Sequence, residues 1–321
     1  VFCGVGMTAT ATESPGADAR RITRIQDVYT QPEALGHQKL WLSTEVVIAY
    51  FDSDWDACWV VSGEQTPFLS SGSRRPALKT GQRVRLEGWV EPNRAPSFDT
   101  LQVTVLEEQV KLTALPAAGR IADAALQEQV VEVEGYVIRQ WEQDPTHLQL
   151  HLLVEGMIAE TTINLPASAP VPQLTGAKVR LQALYLAQRD AAGNLAGVAL
   201  WAIRPEAIEV QGWLETDPHF DEPATEIDAL GARRVGEWVK VAGVVRRQQV
   251  GQLLSVRDET GQIDVKVRQL EPLPAGAEVE VAGVVEQSPM GWTLGQAIYR
   301  AARSGADATG PTMGRKFRVG E

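Results

Sequence analysis

The chain has 321 residues, of which 44% are hydrophobic and 22% are charged, a balance typical of a folded globular protein rather than a disordered one. Its formal net charge is -11, so its overall field repels phosphate backbones and disfavours bulk nucleic-acid binding. Two cysteines are too few for a disulfide scaffold or a four-ligand zinc site, and no apolar run reaches the roughly 18 residues of a transmembrane helix.

The first twenty residues are predicted to form a flexible leader, because residues 8–19 are rich in Thr, Ala, Ser, Pro and Gly. Cys3 is followed by Gly4, as in a bacterial lipoprotein whose cysteine is lipid-modified. Phe2 departs from that pattern, since the position before the cysteine normally holds a small residue. Cys3 is therefore a candidate lipid anchor, and an unmodified disordered leader is the alternative.

One pattern recurs three times along the chain, reading Gly, two residues, Val, one residue, Leu or Val, one residue, then Gly or Ala. The copies are Gly81–Gly88, Gly176–Ala183 and Gly276–Gly283. A second alternating segment precedes each copy, at residues 40–47, 131–137 and 239–245. Apolar side chains at every second position predict strands with one buried face, and glycine within such strands predicts the sharp coiling of a small closed barrel.

Two coiled strands linked by a hairpin and a longer excursion suit a five-stranded barrel of OB type. The sequence therefore predicts an all-β chain of three tandem OB-like small β-barrel domains, each opened by a short flanking helix. The predicted helices lie at 22–28, 121–126 and 227–230. The predicted organisation is a leader at 1–20, domain 1 at 21–112, domain 2 at 113–212, a linker at 213–224, domain 3 at 225–303 and a flexible tail at 304–321.

No serine-hydrolase elbow, phosphate-binding loop or dinucleotide fingerprint occurs in the sequence, so we predict no catalytic residue and no cofactor. Asp52, Asp54 and Asp56 alternate like the first ligands of a calcium loop, but Ala57 and Gly63 stand where such a loop needs glycine and glutamate. An acidic hairpin tip is the preferred interpretation.

His147 and His151 lie in a segment that alternates like a strand. At about 3.3 Å per residue they would lie roughly 13 Å apart, too far to share a metal ion. We therefore predict no metal site, and we expect both histidines on a polar face. Cys58 lies within an apolar run and is expected to be buried.

Domain 3 offers a nucleic-acid hypothesis, because an OB face binds single strands by base stacking and positive charge. The candidate residues are Arg246, Arg247, Arg257, Lys266 and Arg268. Acidic residues balance these cations, and no pair of aromatic residues accompanies them. A solvated strand face is the favoured interpretation, and nucleic acid is an unfavoured partner.

Nine tryptophans are the remaining signal. Trp55 and Trp141 lie beside polar, turn-like sequence, and Trp213 lies at a domain junction. Exposed tryptophan is enriched at protein interfaces, so these three are candidate partner-binding residues. Packing between domains is the alternative for Trp213 and for Trp292.

Residues 47–61 and 253–265, together with the Gly-Val-Val repeats, resemble the extracytoplasmic N-terminal region of bacterial sensor histidine kinases and related signalling proteins. In that family several OB-like units precede a membrane helix and a cytoplasmic output domain. The resemblance covers most of residues 21–300, and unit two diverges most, with Ala183 where the other copies have glycine. The membrane helix and output domain of that family are not among these 321 residues, so we expect either the ectodomain of a longer sensor or a free-standing envelope subunit.

The resemblance implies a location in the periplasm or on the outer face of the cytoplasmic membrane. The first functional hypothesis is a non-catalytic interaction subunit that docks onto a membrane-associated protein complex, such as a respiratory or photosynthetic assembly. The second is a ligand-sensing ectodomain. The third and weakest is single-stranded nucleic-acid binding through domain 3. An enzyme is not expected.

Overall fold

A computed structural model describes residues 19–166, 170–289 and 291–302. In this part of the chain the regular structure consists of β-strands and short 3-10 helices, and the strands form three sheets. The candidate anchor Cys3, the predicted leader up to residue 18 and the predicted tail from residue 304 lie outside the described residues.

The first sheet contains strands β1 to β6. They span Arg21–Ile22, Leu40–Asp52, Ala57–Val61, Phe68–Leu69, Arg83–Val90 and Leu101–Glu107. Their order is β4-β3-β2-β5-β6, and β1 pairs in parallel with β2.

The second sheet contains strands β7 to β13. They span Leu115–Pro116, Val130–Asp144, His147–Val154, Met157–Asn164, Ala177–Arg189, Leu195–Ala202 and Glu209–Trp213. Their order is β13-β11-β12-β10-β9-β8-β7, and a further pairing joins β11 to β8, so the sheet closes on itself.

The third sheet contains strands β14 to β18. They span Trp238–Gln249, Leu253–Arg257, Gln262–Lys266, Glu278–Ser288 and Gly291–Ala301. Their order is β16-β15-β14-β17-β18.

The three sheets repeat one topology. Within each barrel the first long strand pairs with the second and the fourth, and the fifth strand pairs with the fourth. Each barrel closes where its third strand meets its fifth in parallel. In the second barrel, β10 pairs with β12. A single parallel bridge closes each of the other two, Ser70 to Ser97 in the first barrel and Val267 to Ala297 in the third. This is the strand order of an OB barrel, and it confirms the predicted all-β fold of three tandem OB-like barrels.

A short helix precedes the first long strand of every barrel, as predicted, and each is of the 3-10 type. The 3-10 helices of the described chain span Ile25–Thr30, Glu33–Leu35, Ala124–Leu126, Pro205–Ala207, Leu214–Thr216, Pro218–Phe220 and Ile227–Ala232. Ile25, Leu126 and Leu230 anchor the opening helices in the barrel cores, where each is fully or almost fully buried.

The first glycine of the repeated pattern has the same role in all three barrels. Gly81, Gly176 and Gly276 adopt φ values of 90°, 85° and 87°, in the left-handed region that favours glycine. Their amides donate to the carbonyls of Ile48, Val137 and Val245, at 2.8, 2.7 and 2.7 Å. The repeat therefore encodes the turn that ties the fourth strand of each barrel to its first.

Glycine within the first long strand allows two strands to approach closely. A Cβ atom on Gly243 would lie 2.4 Å from the carbonyl oxygen of Arg257 on the next strand. Ala183, which stands in the fourth strand of the second barrel where the other repeats have glycine, is fully buried within the core. The close approach explains why the alternating pattern is interrupted by glycine rather than by a larger apolar residue.

The described chain divides into two compact units, one holding the first barrel and the other holding the second and third barrels. Each barrel has its own core of buried aliphatic residues. The segment predicted as a linker at 213–224 forms two 3-10 helices, and its Leu214 and Phe220 are buried. This segment therefore packs as part of the second unit.

Candidate binding cleft between the second and third barrels

The second and third barrels share a small apolar core. It consists of Leu153, Leu214, Phe220, Ala282 and Ile298, all buried. Leu153 comes from the second barrel, Ala282 and Ile298 come from the third, and the other two come from the segment that joins them. Because these side chains are withdrawn from water together, they favour one arrangement of the two barrels.

A charged cluster supports this shared core. Glu280 accepts hydrogen bonds from Lys240 at 3.0 Å and from Arg300 at 2.7 Å. Arg300 also donates to the carbonyl of Glu215 at 2.6 Å, and its guanidinium lies 4.4 Å from the centre of the Phe220 ring. Burial would raise the pKa of Glu280, but the hydrogen bonds from Lys240 and Arg300 outweigh it and the pKa is lowered.

Asp217 forms a second polar joint between the barrels. Its carboxylate is almost fully buried, accepts from the hydroxyl of Tyr136, and lies 2.6 Å from Nδ1 of His219. The amino group of Lys178 is 3.8 Å away. Burial alone would raise the pKa of Asp217, but the hydrogen bonds from Tyr136 and His219 lower it overall. Asp217 is therefore held as a carboxylate.

A cleft of about 290 Å³ opens beside these joints. The second barrel lines it with Pro116, Ala117, Ala118, Glu132, Val133, Glu134, Gly135, Tyr136, Leu153, Val154, Glu155, Gly156 and Lys178, and the third with Trp238, Gln296 and Ile298. We call this space the inter-barrel cleft. Leu153 and Ile298, which belong to the shared core of the two barrels, form its apolar floor.

Left-handed backbone from both barrels meets at one wall of the inter-barrel cleft. Glu155 and Gly156, in a hairpin turn of the second barrel, have φ values of 49° and 80°. Gln296, at a register shift in the last strand of the third barrel, has a φ of 51°. A Cβ on Gly156 would lie 3.3 Å from the Cα of Gln296, so the two backbones are in close contact. Glu155 and Gln296 are the non-glycine residues of this wall that adopt the left-handed region.

Several polar groups of the cleft are occupied by partners within the protein. Glu134 pairs with Arg180 at 2.7 Å, Glu155 accepts from the amide of Gly119, and Tyr136 and Lys178 face Asp217. These contacts hold the walls in place.

Other polar groups of the cleft remain open. Within the described residues, the carboxylate of Glu132, the amide of Gln296 and the indole N–H of Trp238 make no side-chain hydrogen bond or ion pair, and all three side chains are exposed. A ligand in the cleft would meet these groups.

The Trp238 ring is held in position from one side. The imidazole of His219 stacks on it with ring centres 4.1 Å apart and an interplanar angle of 26°. Asp217 in turn fixes His219, so the ring belongs to the same network as Tyr136. Trp238 is nevertheless 37% exposed. A half-exposed aromatic side chain with a fixed orientation is a suitable binding platform.

None of the three predicted partner-binding tryptophans lines this cleft. Trp55 and Trp141 are partly buried, and Trp141 contacts Arg139 at 5.1 Å and the His151 ring at 5.0 Å. Trp213 ends strand β13 and packs against the core of the second barrel. Their role in partner binding stays a prediction.

The predicted cationic residues of the third barrel are all exposed and, in the part of the chain that the structure describes, make no ion pair. The set is Arg246, Arg247, Arg257, Lys266 and Arg268. Arg246 and Arg257 line a depression that also contains Asp258, Glu259 and Glu278. Opposite charges are thus mixed on this surface, and its net attraction for a phosphate backbone is small.

The acidic and histidine positions have structural roles. The carboxylate of Asp52 accepts from the amides of Asp54 and Trp55 at 2.9 and 3.2 Å, and that of Asp56 accepts from the Ser71 amide at 2.6 Å. His147 and His151 lie on strand β9, as predicted.

His147 shares the polar strand face of Gln149 and His151, as expected, but this position is buried. It is 2% exposed, and its Nδ1 lies 2.7 Å from Asp144, whose carboxylate supplies the polar partner that a buried imidazole needs. Cys58 is buried, as expected, and burial raises the pKa of its thiol.

Among the described residues no group of three or more His, Cys, Asp or Glu side chains is arranged to hold a metal ion. The same residues include no helix long and apolar enough to cross a membrane.

Sequence reasoning missed Tyr136, Trp238 and Gln296 as neighbours. They lie on three separated strands, and nothing in the spacing of the repeats indicates how one barrel rests against the next. The isolated Trp238 at the start of a strand was the one visible signal.

No protein-family model and no curated protein matches the chain. Among solved structures, the hypothetical protein YgiW of E. coli is 17% identical, with a TM-score of 0.22, covering 26% of this chain and 92% of that one. A murine DNA-binding protein bound to double-stranded DNA is 13% identical, with a TM-score of 0.23 and coverages of 54% and 97%.

A replication protein A heterotrimer bound to single-stranded DNA is 12% identical, with a TM-score of 0.26 and coverages of 54% and 49%. The OB assignment of this chain stands on its strand order and closure.

Proposed function

We propose that this chain is a non-catalytic binding protein of the periplasm or of the outer face of the cytoplasmic membrane, and that its ligand occupies the inter-barrel cleft. The cleft itself carries the proposal. It combines a buried apolar floor, an oriented aromatic ring and a few open polar groups, which are the features of small-molecule sites. Its volume of about 290 Å³ suits a metabolite better than a protein segment.

The position of the cleft supports a sensing role. Residues of two barrels line it, so a ligand would contact both at once and stabilise their packing. The extracytoplasmic location rests on the resemblance of most of residues 21–300 to the extracytoplasmic N-terminal region of bacterial sensor histidine kinases and related signalling proteins. Binding of a ligand would then be the event that the protein reports.

A thermal-unfolding screen of a metabolite library with the whole chain tests this function. A ligand present at 100 times its dissociation constant should stabilise the protein by about 2.7 kcal/mol. Ala118 is exposed and lines the cleft, so A118W should fill the space and abolish the stabilisation. A192W, at an exposed turn elsewhere in the second barrel, is the matched control. Ligands that stabilise the wild type and A118W equally would refute the assignment of the cleft.

A second function, docking onto a membrane-associated protein complex, is favoured by a feature of the first barrel. Strand β6 ends its sheet and, in the described chain, pairs along Leu101–Glu107 with β5 alone. Val105 and Leu106 on it are each 40% exposed. Apolar side chains on an open strand edge are typical of surfaces to which a partner adds a strand.

Affinity capture from detergent-solubilised membranes tests docking. The double variant V105K/L106K should lose a partner that the wild type retains. V250K is the control, because Val250 is 45% exposed in the third barrel. A partner retained by V105K/L106K would exclude this edge as the docking surface.

A further inference from the structure

The charges around the inter-barrel cleft indicate the class of its ligand. Glu132, Glu134 and Glu155 line it, and within the described residues Lys178 is the single lysine or arginine that does so. The amino group of Lys178 is directed to Asp217 at 3.8 Å and lies 5.5 Å from the centre of the Tyr136 ring. Lys178 is thus balanced by Asp217, and Glu134 is balanced by Arg180, so the carboxylates of Glu132 and Glu155 give the cleft its negative field.

The open groups of the cleft complement a cation in particular. Glu132 is exposed and makes no ion pair in the described part of the chain, so its charge is available to a ligand. Trp238 is the aromatic side chain best suited to bind a cation through its ring face. The third open group, the amide of Gln296, offers an acceptor and a donor.

We infer that the inter-barrel cleft selects a small organic cation, an ammonium compound with an apolar body, and this inference rests on the proposed function. The apolar body would lie on the floor formed by Leu153 and Ile298, and the charged group would lie between Glu132 and Trp238. An anion of the same size would meet the carboxylates of Glu132 and Glu155, which form no ion pair within the described residues, and would be repelled.

Titration calorimetry with the whole chain at low ionic strength tests the inference. The probes are choline and benzylamine, each compared with its neutral analogue, 3,3-dimethylbutan-1-ol and benzyl alcohol. We expect the cations to bind at least about ten-fold more tightly than the neutral analogues. Removing the carboxylate in E132Q should weaken the cations by about five-fold and leave the neutral analogues unchanged. E142Q, at an exposed glutamate on the same strand, should behave as the wild type.

The aromatic contribution is tested separately. W238L should weaken choline binding by between about two-fold and thirty-fold, whereas W238F, which keeps a ring, should retain most of the affinity. An unfolding curve for each variant shows whether the third barrel remains folded. If W238L and W238F are both folded, the difference between their choline affinities measures the contribution of the aromatic ring.

The failures of the inference and of the proposed function are distinct. Neutral analogues that bind as tightly as the cations, or cations that do not bind, would overturn the choice of a cation. If the library then yields a neutral or anionic ligand that A118W excludes, the cleft remains the site. If instead choline binds the wild type and A118W equally, both the cleft and its selectivity are refuted.

Discussion

Tyr136 of the second barrel donates its hydroxyl hydrogen to the buried carboxylate of Asp217, on the segment that enters the third barrel. The same carboxylate orients His219, which stacks on Trp238. One acidic residue thus links the joint between two barrels to the aromatic ring that lines the cleft. Any change at Asp217 should therefore affect both stability and binding.

Replacing Asp217 with asparagine should lower the free energy of unfolding by roughly 1–3 kcal/mol at neutral pH, because the buried network loses the negative charge and one of its two acceptor oxygens. Chemical denaturation followed by tryptophan fluorescence measures this loss. D221N is the control, since Asp221 is exposed nearby. Equal free energies of unfolding for D217N and D221N would show that the charge of Asp217 does not stabilise the fold.

The contribution of Asp217 should depend on pH with a definite sign. Its pKa in the folded protein is lowered from 3.8, so the folded state binds the proton less readily than the unfolded chain does. The stabilisation is fully present above pH 3.8 and is lost as the pH falls through the lower folded pKa. The stability gap between wild type and D217N should therefore close below that pH, and a gap that widens on acidification would contradict the assignment.

Removing the charge of Glu280 should lower the free energy of unfolding more than removing the charge of Asp217. E280Q leaves the largely buried cations Lys240 and Arg300 without their shared carboxylate. Removing one partner of a buried ion pair costs about 3–5 kcal/mol, and the partial exposure of this cluster places E280Q at the lower end. E278Q, at an exposed glutamate on the same strand, should cost little. Urea unfolding of both variants provides the comparison.

The barrels could be predicted from the sequence, but the cleft could not. The strand pattern follows from local chemistry: apolar residues alternate, and Gly81, Gly176 and Gly276 stand where a left-handed turn is needed. The burial of His147 depends on Asp144 and on tertiary packing, which alternation does not reveal. The cleft brings Tyr136 and Trp238 together from different barrels, and a repeat specifies each barrel without specifying how neighbours pack.

Three glycines should respond differently to alanine, because each has a different reason to be glycine. G243A places a Cβ 2.4 Å from the carbonyl oxygen of Arg257 and should cost at least about 3 kcal/mol. G276A meets no atom within 4 Å but has a φ of +87°, so strain alone should cost about 1–2 kcal/mol. G212A has neither problem and should stay within about 0.5 kcal/mol of wild type. The order of the three unfolding midpoints tests the explanation of the repeat.

The exposed cations of the third barrel allow a decisive test against nucleic-acid binding. The surface around Arg246 and Arg257 includes Asp258, Glu259 and Glu278, and the chain carries a net charge of -11. Non-specific binders reach dissociation constants of about 10⁻⁴–10⁻⁶ M at physiological salt, and we expect oligothymidine to bind more weakly than this range.

Fluorescence anisotropy over a salt series measures the oligothymidine affinity, with the triple variant R246E/R247E/R257E as the comparison. Base stacking also requires aromatic platforms, and the exposed Trp238 and Trp292 of this barrel do not line the depression that contains Arg246 and Arg257. Tight binding that weakens steeply with salt and disappears in the triple variant would assign the third barrel to nucleic acid. Binding that the triple variant retains would place any such site elsewhere, because the exposed arginines would then supply none of the charge.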